Sequence, residues 1–229
     1  MDDSMSLFNF KAWLGLVFLV LVLASGLFIP AGTFDYWQAW VFLSVFTLAT
    51  SAITLYLMCF DPALLQKRVK AGPVTEQQLV QKVIQSSASI AFIAIFVVSA
   101  LDHRFAWSQV GAAGLLMGNL LVAGGLLLVF WVFRANAYTS ALIEVMAEQR
   151  VISTGPYAWV RHPMYAGAFI MLVGIPLALG SWWGLLAVLP LMGAIVWRLK
   201  AEEAFLAQSL AGYSDYLAKV KHRLVPWVW

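Results

Sequence analysis

Cysteine appears once in this chain, at Cys59, which excludes an internal disulfide and any metal site built on several cysteines. Cys59 lies in an apolar run, where a small buried thiol with no chemical role is the expected state. Histidine is nearly as scarce. His103, His162 and His222 have no spacing that would hold zinc or iron, so a metal site is not expected. Charge is sparse as well: Asp, Glu, Lys and Arg make up 11% of the 229 residues, against 62% hydrophobic. So much apolar surface cannot be hidden in one soluble core, and the chain reads as an integral membrane protein. The formal charge of +3 does not indicate a nucleic-acid binder, because the basic residues do not cluster with spaced aromatics on a polar domain. Internal repeats, low-complexity tracts and phosphate-loop glycine spacing are also missing, and residues 1–229 read as a single membrane domain.

What the chain has is long apolar runs. Spanning about 30 Å of hydrocarbon takes about 20 helical residues, and runs near Ala12–Ile29, Trp37–Phe60, Val83–Leu101 and Trp107–Phe133 meet that need. Two shorter runs, Pro163–Leu179 and Trp182–Leu199, are separated only by Gly180-Ser181 and read as a tight helical hairpin that is tilted or incompletely crossing. The expected fold is therefore an all-α integral membrane protein of about five to six transmembrane segments. Four helices fill residues 1–133, the hairpin comes last, and a C-terminal cytoplasmic helix follows it. A cleaved leader ending at Ala24-Ser25-Gly26 is the alternative for the first run, but Asp2 and Asp3 make a poor basic start and the run continues through Ile29.

Counted by alternate loops, 13 of the 14 Lys and Arg residues fall on one side of such a bundle, and Arg104 alone falls on the other. The positive-inside rule then puts both termini, the Asp61–Lys82 loop and the Arg134–His162 segment in the cytoplasm. In that first loop Gly72-Pro73 makes a break and Thr75-Glu76-Gln77-Gln78 resembles a capped helix start, so a connector lying on the membrane surface is expected. Gly111, Gly114, Gly118, Gly124 and Gly125 suit close helix packing in the fourth run.

Polar residues at the ends of apolar segments usually have a task, since charge is costly there. The stretch Gly155-Pro156-Tyr157-Ala158-Trp159-Val160-Arg161-His162-Pro163-Met164-Tyr165 sets such groups beside a helix start. Proline suits a first helical turn, so His162-Pro163 alone needs no functional account. The free amides of that helix end nevertheless favour an anion, and Arg161, His162, Tyr157 and Tyr165 add donors and rings around it. Downstream, Arg198 and Glu202 stand at i and i+4 and share a helix face, with Glu203 about 100° further round. An interfacial ion pair with snorkelling Arg198 and Lys200 would explain the same pattern. Asn136, Tyr138, Thr139 and Ser140 follow the fourth span, as helix-terminal hydrogen-bonding residues or as part of a site.

These motifs carry a resemblance. Asn136-Ala137-Tyr138, Val151-Ile152 before Gly155-Pro156-Tyr157, Arg161-His162-Pro163-Met164-Tyr165-Ala166-Gly167, Arg198 with Glu202-Glu203, and Tyr213 with Tyr216 before Arg223 and Pro226 occur in that order. From about Asn136 to Pro226 the chain resembles the isoprenylcysteine carboxyl methyltransferase family and the related membrane phospholipid methyltransferases. The resemblance implies transfer of the methyl of S-adenosylmethionine to a lipid-bearing or prenylated acceptor at the cytoplasmic membrane face. It makes residues 134–229 the cofactor-binding catalytic region.

By position, the resemblance implies that Gln149, Arg150, Val151 and Ile152 meet the cofactor largely through backbone. Tyr157 and the turn His162, Pro163, Met164 and Tyr165 would enclose it, with Glu202 and Glu203 at its polar end. Arg198, together with Asn136 and Trp159, would face the acceptor, and Arg198 and Glu202 would carry the catalysis. The chain departs from the eukaryotic members at Gln149-Arg150, where they have a histidine-containing pair. Arg198 suits a carboxylate acceptor because guanidinium binds it bidentately; an amine acceptor would instead use Glu202 or Glu203 as general base. Tyr165 or Trp159 could turn a ring face to the sulfonium. A pocket closed by the tail Lys200–Pro226 and open sideways to lipid would serve a soluble cofactor and a greasy acceptor together. Two other readings remain open here, a sterol-reductase-like enzyme using a reduced nicotinamide and a transporter or structural membrane protein whose polar residues only cap helices.

Overall fold

The computed structural model describes residues 3–69, 79–139 and 149–229, and within them the secondary structure is helical throughout. The helices are α1 (Asp3–Ala31), α2 (Trp37–Phe60), α3 (Pro62–Val69), α4 (Leu79–Phe105), α5 (Ala112–Ala135), α6 (Pro163–Ala178), α7 (Trp183–Ser209) and α8 (Tyr213–Lys219). A 3-10 turn, Gly155–Ala158, precedes α6. Among the described residues five helices, α1, α2, α4, α5 and α7, are long and apolar enough to cross a bilayer. Helix α6 has 16 residues, about 24 Å of rise, and bridges the bundle only with help from its flanking turns. The expected all-α membrane fold is what the chain adopts.

Some boundaries differ from those expected. Residues 107–111 precede α5 as a loop in which Gln109 and Ser108 bond to Trp182, so the fourth span starts at Ala112. Helix α7 runs ten residues beyond Leu199, to Ser209, and carries Arg198, Lys200, Glu202 and Glu203 on one unbroken rod. The surface connector after α2 contains a true helix. Asp61 accepts the Leu64 amide on its Oδ1 at 3.0 Å and Pro62 fills the first helical position, a combination that starts a helix cheaply. Leu64 and Leu65 then bury against Leu57 and Phe133. The Gly72-Pro73 break, the Thr75–Gln78 start and Ser140 lie outside the described residues. Cys59, expected to be buried, is exposed on the outer face of α2, where a small thiol costs little against lipid.

The expected hairpin exists as a connection. Helix α6 ends in a left-handed Gly180 (φ 81°), with Gly180 N–H bonded to Leu177 O at 3.1 Å and Ser181 N–H to Pro176 O at 2.9 Å. Ser181 Oγ then accepts the Gly184 amide in the first turn of α7 at 2.9 Å. That hydroxyl also donates to buried Asp102 at 2.5 Å, and Ser108 donates to Asp102 from both amide and hydroxyl, tying α4 and the next loop to this turn. The two helices find their main partners elsewhere, α6 along α5 and α7 along α4.

The α5–α6 seam is backbone on backbone. A Cβ added to Gly125 would stand 2.5 Å from Gly167 O, and one on Gly174 would stand 2.7 Å from Gly118 O. Of the five glycines noted in the fourth run only Gly118 and Gly125 serve this seam; Gly111 and Gly124 face open space and Gly114 meets only Val110. In lipid, where apolar side chains gain little by leaving one apolar medium for another, such close approach supplies the dispersion that holds helices together. The seam fixes the start of α6, and with it the Arg161–Tyr165 turn, against the end of α5.

Candidate active site

The successive antiparallel spans bring the end of α5, the start of α6, the end of α7 and α8 to the same end of the bundle, where most basic residues also lie. A cavity with about 890 Å³ of empty space, its open mouth included, forms there. Most of the predicted site residues line it. From the α5 end come Asn136, Tyr138 and Thr139; from the next described segment Gln149, Arg150, Val151 and Ile152; then Tyr157, Arg161, His162, Pro163, Met164 and Tyr165; and from α7 Arg198 and Glu202. Leu206, Leu210, Tyr213 and Tyr216 complete the wall.

Geometry explains how one turn of α7 serves two purposes. Glu202 faces the cavity and accepts the Tyr165 hydroxyl at 2.7 Å, and Arg198 lines the same cavity within electrostatic reach of that hydroxyl. Glu203, one residue on, points about 100° away. Its carboxylate binds Arg161 at 3.2 Å and His162 Nε2 at 3.3 Å through one oxygen, and Arg223 at 2.8 Å through the other. Glu203 therefore holds the wall from behind, and its expected place as a cofactor contact is replaced by this one. Trp159, expected at the acceptor, is 61% exposed and absent from the cavity wall, because the 3-10 turn directs it outward.

Arg161 was expected to offer donors to an anion, but its guanidinium is already engaged. Besides Glu203 it bonds the carbonyls of Leu217 at 2.9 Å and Val220 at 2.6 Å, completing the C-terminal end of α8, where a cation is favoured. The tail closes the same corner: Arg161 N–H bonds His222 O at 2.9 Å and His162 N–H bonds Arg223 O at 3.0 Å. Of the Lys200–Pro226 stretch, Glu202, Leu206, Leu210, Tyr213 and Tyr216 line the pocket, while His222 and Arg223 pin the Arg161–His162 turn through their carbonyls.

The tyrosines are fixed by backbone and by each other. Asn136 Nδ2 donates to the Tyr157 hydroxyl at 3.0 Å, and its Oδ1 accepts the Tyr138 amide at 2.9 Å, so this residue both ends α5 and orients a pocket ring. Tyr216 donates to Tyr157 O at 2.8 Å. Burial pushes Tyr157 up to about 12, with nearby Glu202 adding to the shift and Asn136 and Arg68 opposing it. Burial likewise raises Tyr213 and Tyr216 above the ordinary phenol range, so all three rings stay neutral donors at any working pH.

Sequence reasoning missed α3. Its Lys67 Nζ reaches Ala137 O at 3.2 Å, and its half-buried Arg68 stands 4.9 Å over the Phe133 ring with Nη1 3.8 Å from Met164 Sδ. Burial lowers the proton affinity of Arg68; Tyr165 and Tyr157 raise it and Arg198 lowers it, so all three are within electrostatic reach. The legible signal was Asp61-Pro62 before a Leu-Leu pair, a helix start passed over in a loop. Among the described residues no group of His, Cys, Asp and Glu could hold a metal ion.

The described fold is an all-helical polytopic membrane protein with a polar pocket walled by Tyr165, Arg198 and Glu202 at one end of the bundle. Residues 113–212 match the family model described as phospholipid methyltransferase, so over that stretch the chain is similar to the membrane methyltransferases of this family. Methyltransferases of this family use S-adenosylmethionine. No curated protein matches the chain.

Proposed function

We propose that this protein transfers a methyl group from S-adenosylmethionine to a lipid-borne carboxylate at the cytoplasmic face of the membrane. One observation carries the proposal: Arg198 and the Tyr165–Glu202 pair line one cavity that opens where the helices end. The donor's chemistry fits these walls. A zwitterionic, nucleoside-bearing molecule needs an acid for its ammonium, backbone polar groups for its base and rings against its apolar parts. Glu202 offers the first, residues Gln149–Ile152 the second, and Tyr157, Tyr213 and Tyr216 the third. When bound, S-adenosylmethionine supplies an electrophilic methyl whose carbon is taken by the acceptor oxygen as the carbon–sulfur electron pair stays on sulfur.

The chain's part in that chemistry is positioning, which can account for much of a displacement's acceleration. Arg198 holds the acceptor carboxylate and turns one oxygen toward the reacting carbon. Tyr165, bonded to Glu202, keeps acid and guanidinium from collapsing on each other. The tail and α8 shield the site, while the lipid chain enters between helices. The count of 13 basic residues against one supports a cytoplasmic position for this end and for both termini.

A second acceptor class is favoured by Glu202 itself, which lines the cavity and could take the proton lost by an amine, as the family description suggests. Incubating membranes with methyl-labelled S-adenosylmethionine separates the two. The proposal expects label in extracted lipid or lipoprotein that mild base releases as methanol. Base-stable label on a headgroup nitrogen would replace the carboxylate by an amine, and no protein-dependent label would end the assignment.

A further inference from the structure

Trp227 is 81% exposed and Val228 78%, more than any other large apolar side chain among the described residues. The turn that carries them is nevertheless closed. Leu224 is buried, the amides of Leu224 and Val225 bond Trp229 O at 2.9 and 3.1 Å, and Trp229 N–H returns to Val225 O at 3.1 Å. Trp227 takes a left-handed φ of 62° within it, a conformation that a bulky residue keeps only where the surroundings enforce it. Two apolar side chains are thus held outward, a few residues from exposed Lys219 and Lys221.

Two helices give the depth of this turn. From Ala112, where α5 begins, to Trp131 the helix rises about 29 Å, close to the roughly 30 Å of a hydrocarbon core. Half-exposed Trp131 therefore marks the boundary at the pocket end, and a Cβ on Gly155 would stand 3.9 Å from its Nε1, so the 3-10 turn lies at that level. Helix α6 starts from half-exposed Trp182 and Trp183 at the other end and has 16 residues, a rise of about 24 Å that leaves Arg161 and His162 at the edge of the core. Those two amides donate to His222 O and Arg223 O at 2.9 and 3.0 Å, and Arg223 holds Glu203 at 2.8 Å. The tail is fastened at the same depth, two residues before the Trp227 turn closes. Indole rings are favoured where hydrocarbon meets water, and lysines beside them are drawn to anionic headgroups.

We propose that the 224–229 turn is an interfacial anchor: it seats Trp227 and Val228 in the headgroup layer of the leaflet around the pocket, with Lys219 and Lys221 against anionic lipid, and this seating tightens the Arg161–His162 wall of the cavity. Its partner is the lipid surface itself, so the anchor stands whatever reaction the pocket performs.

Full-length protein in a Cys59→Ser background, labelled with a nitroxide at Val228→Cys, is placed in nanodiscs of equal parts phosphatidylcholine and phosphatidylglycerol. Collisions of the label with dissolved oxygen, which concentrates in hydrocarbon, are compared with collisions with a water-soluble nickel chelate. Labels at Ser214→Cys and at Leu127→Cys, exposed on α5, give the water and lipid references. The Val228→Cys label should read between the two, and adding Trp227→Gly, which suits the left-handed backbone, should move it toward the Ser214→Cys value. Hydrogen exchange of the Arg161 and His162 amides should quicken on the order of tenfold in Trp227→Gly nanodiscs, for the loss of one seated ring. In wild type the same amides should exchange about fivefold faster in phosphatidylcholine alone than in the mixed bilayer, for the loss of lysine attraction. A purely structural turn would not respond to lipid charge. A Val228→Cys label that matches Ser214→Cys, or that is shielded from both reagents as in a protein contact, overturns the anchor. Exchange at Arg161 and His162 that is indifferent to lipid charge and to Trp227→Gly overturns its coupling to the pocket.

Discussion

Two adjacent glutamates on α7 divide the labour of the site. Glu202 faces the cavity and Glu203 the supporting wall, a separation that follows from 3.6 residues per turn. The consequence is testable by substitution. Glu203→Gln removes the charge that holds Arg161, His162 and Arg223, and breaking such a buried group should cost about 3 kcal/mol of stability, read as a lower melting temperature in detergent. Trp159→Ala, in contrast, should leave S-adenosylhomocysteine affinity within about twofold, since a contact of rim or surface type is worth only about 0.5 kcal/mol; a calorimetric loss beyond tenfold would return that ring to the pocket. At this scale the motif residues were legible because their side-chain types are expensive in lipid. Which glutamate would face which way was half legible: helical phase separated Glu202 from Glu203, but the partners waiting for Glu203 come from Arg161, His162 and Arg223, and only folding brings them together. Arg68 escaped notice because nothing in a loop sequence tells that an eight-residue helix will be pressed against Phe133.

Among the elements, the α5–α6 seam matters most for the site, because it seats the Arg161–Tyr165 turn. Gly124 and Gly125 are neighbours with opposite surroundings, one facing open space and the other facing Gly167 O and Met171 N. Gly125→Val should therefore destabilise by roughly 3 kcal/mol or prevent folding, the upper range for overpacking, whereas Gly124→Val should leave the melting temperature of the purified protein nearly unchanged. Equal effects at both positions would mean that the seam is not the close contact described. Composition announced a glycine-rich packing helix, yet five glycines were candidates and two carry the contact. Helical periodicity alone could not select them, since the opposing Gly167 and Gly174 lie some 50 residues away and their register depends on the turn before α6.

For the whole molecule, length and hydropathy determined the number of spans well, and they failed where polar stretches continue a helix beyond the apolar core, as in α7 past Leu199. The sidedness proposed from charge has a direct check. In a Cys59→Ser background, Ser214→Cys on α8 should react with a membrane-impermeant maleimide only after cells are opened, and Gly111→Cys at the other end should react in intact cells. The reverse pattern would put the pocket outside and remove its access to the cytoplasmic methyl donor.

The central claim is that the cavity between the Pro163-led turn and α7 receives a methyl donor through Glu202, and calorimetry with S-adenosylhomocysteine addresses it most directly. Wild type should bind one equivalent, Glu202→Ala should bind on the order of tenfold or more weakly for the loss of a charge-assisted contact, and Lys200→Ala, exposed on the same helix, should match wild type. No binding by wild type, or equal affinity in Glu202→Ala, would contradict it.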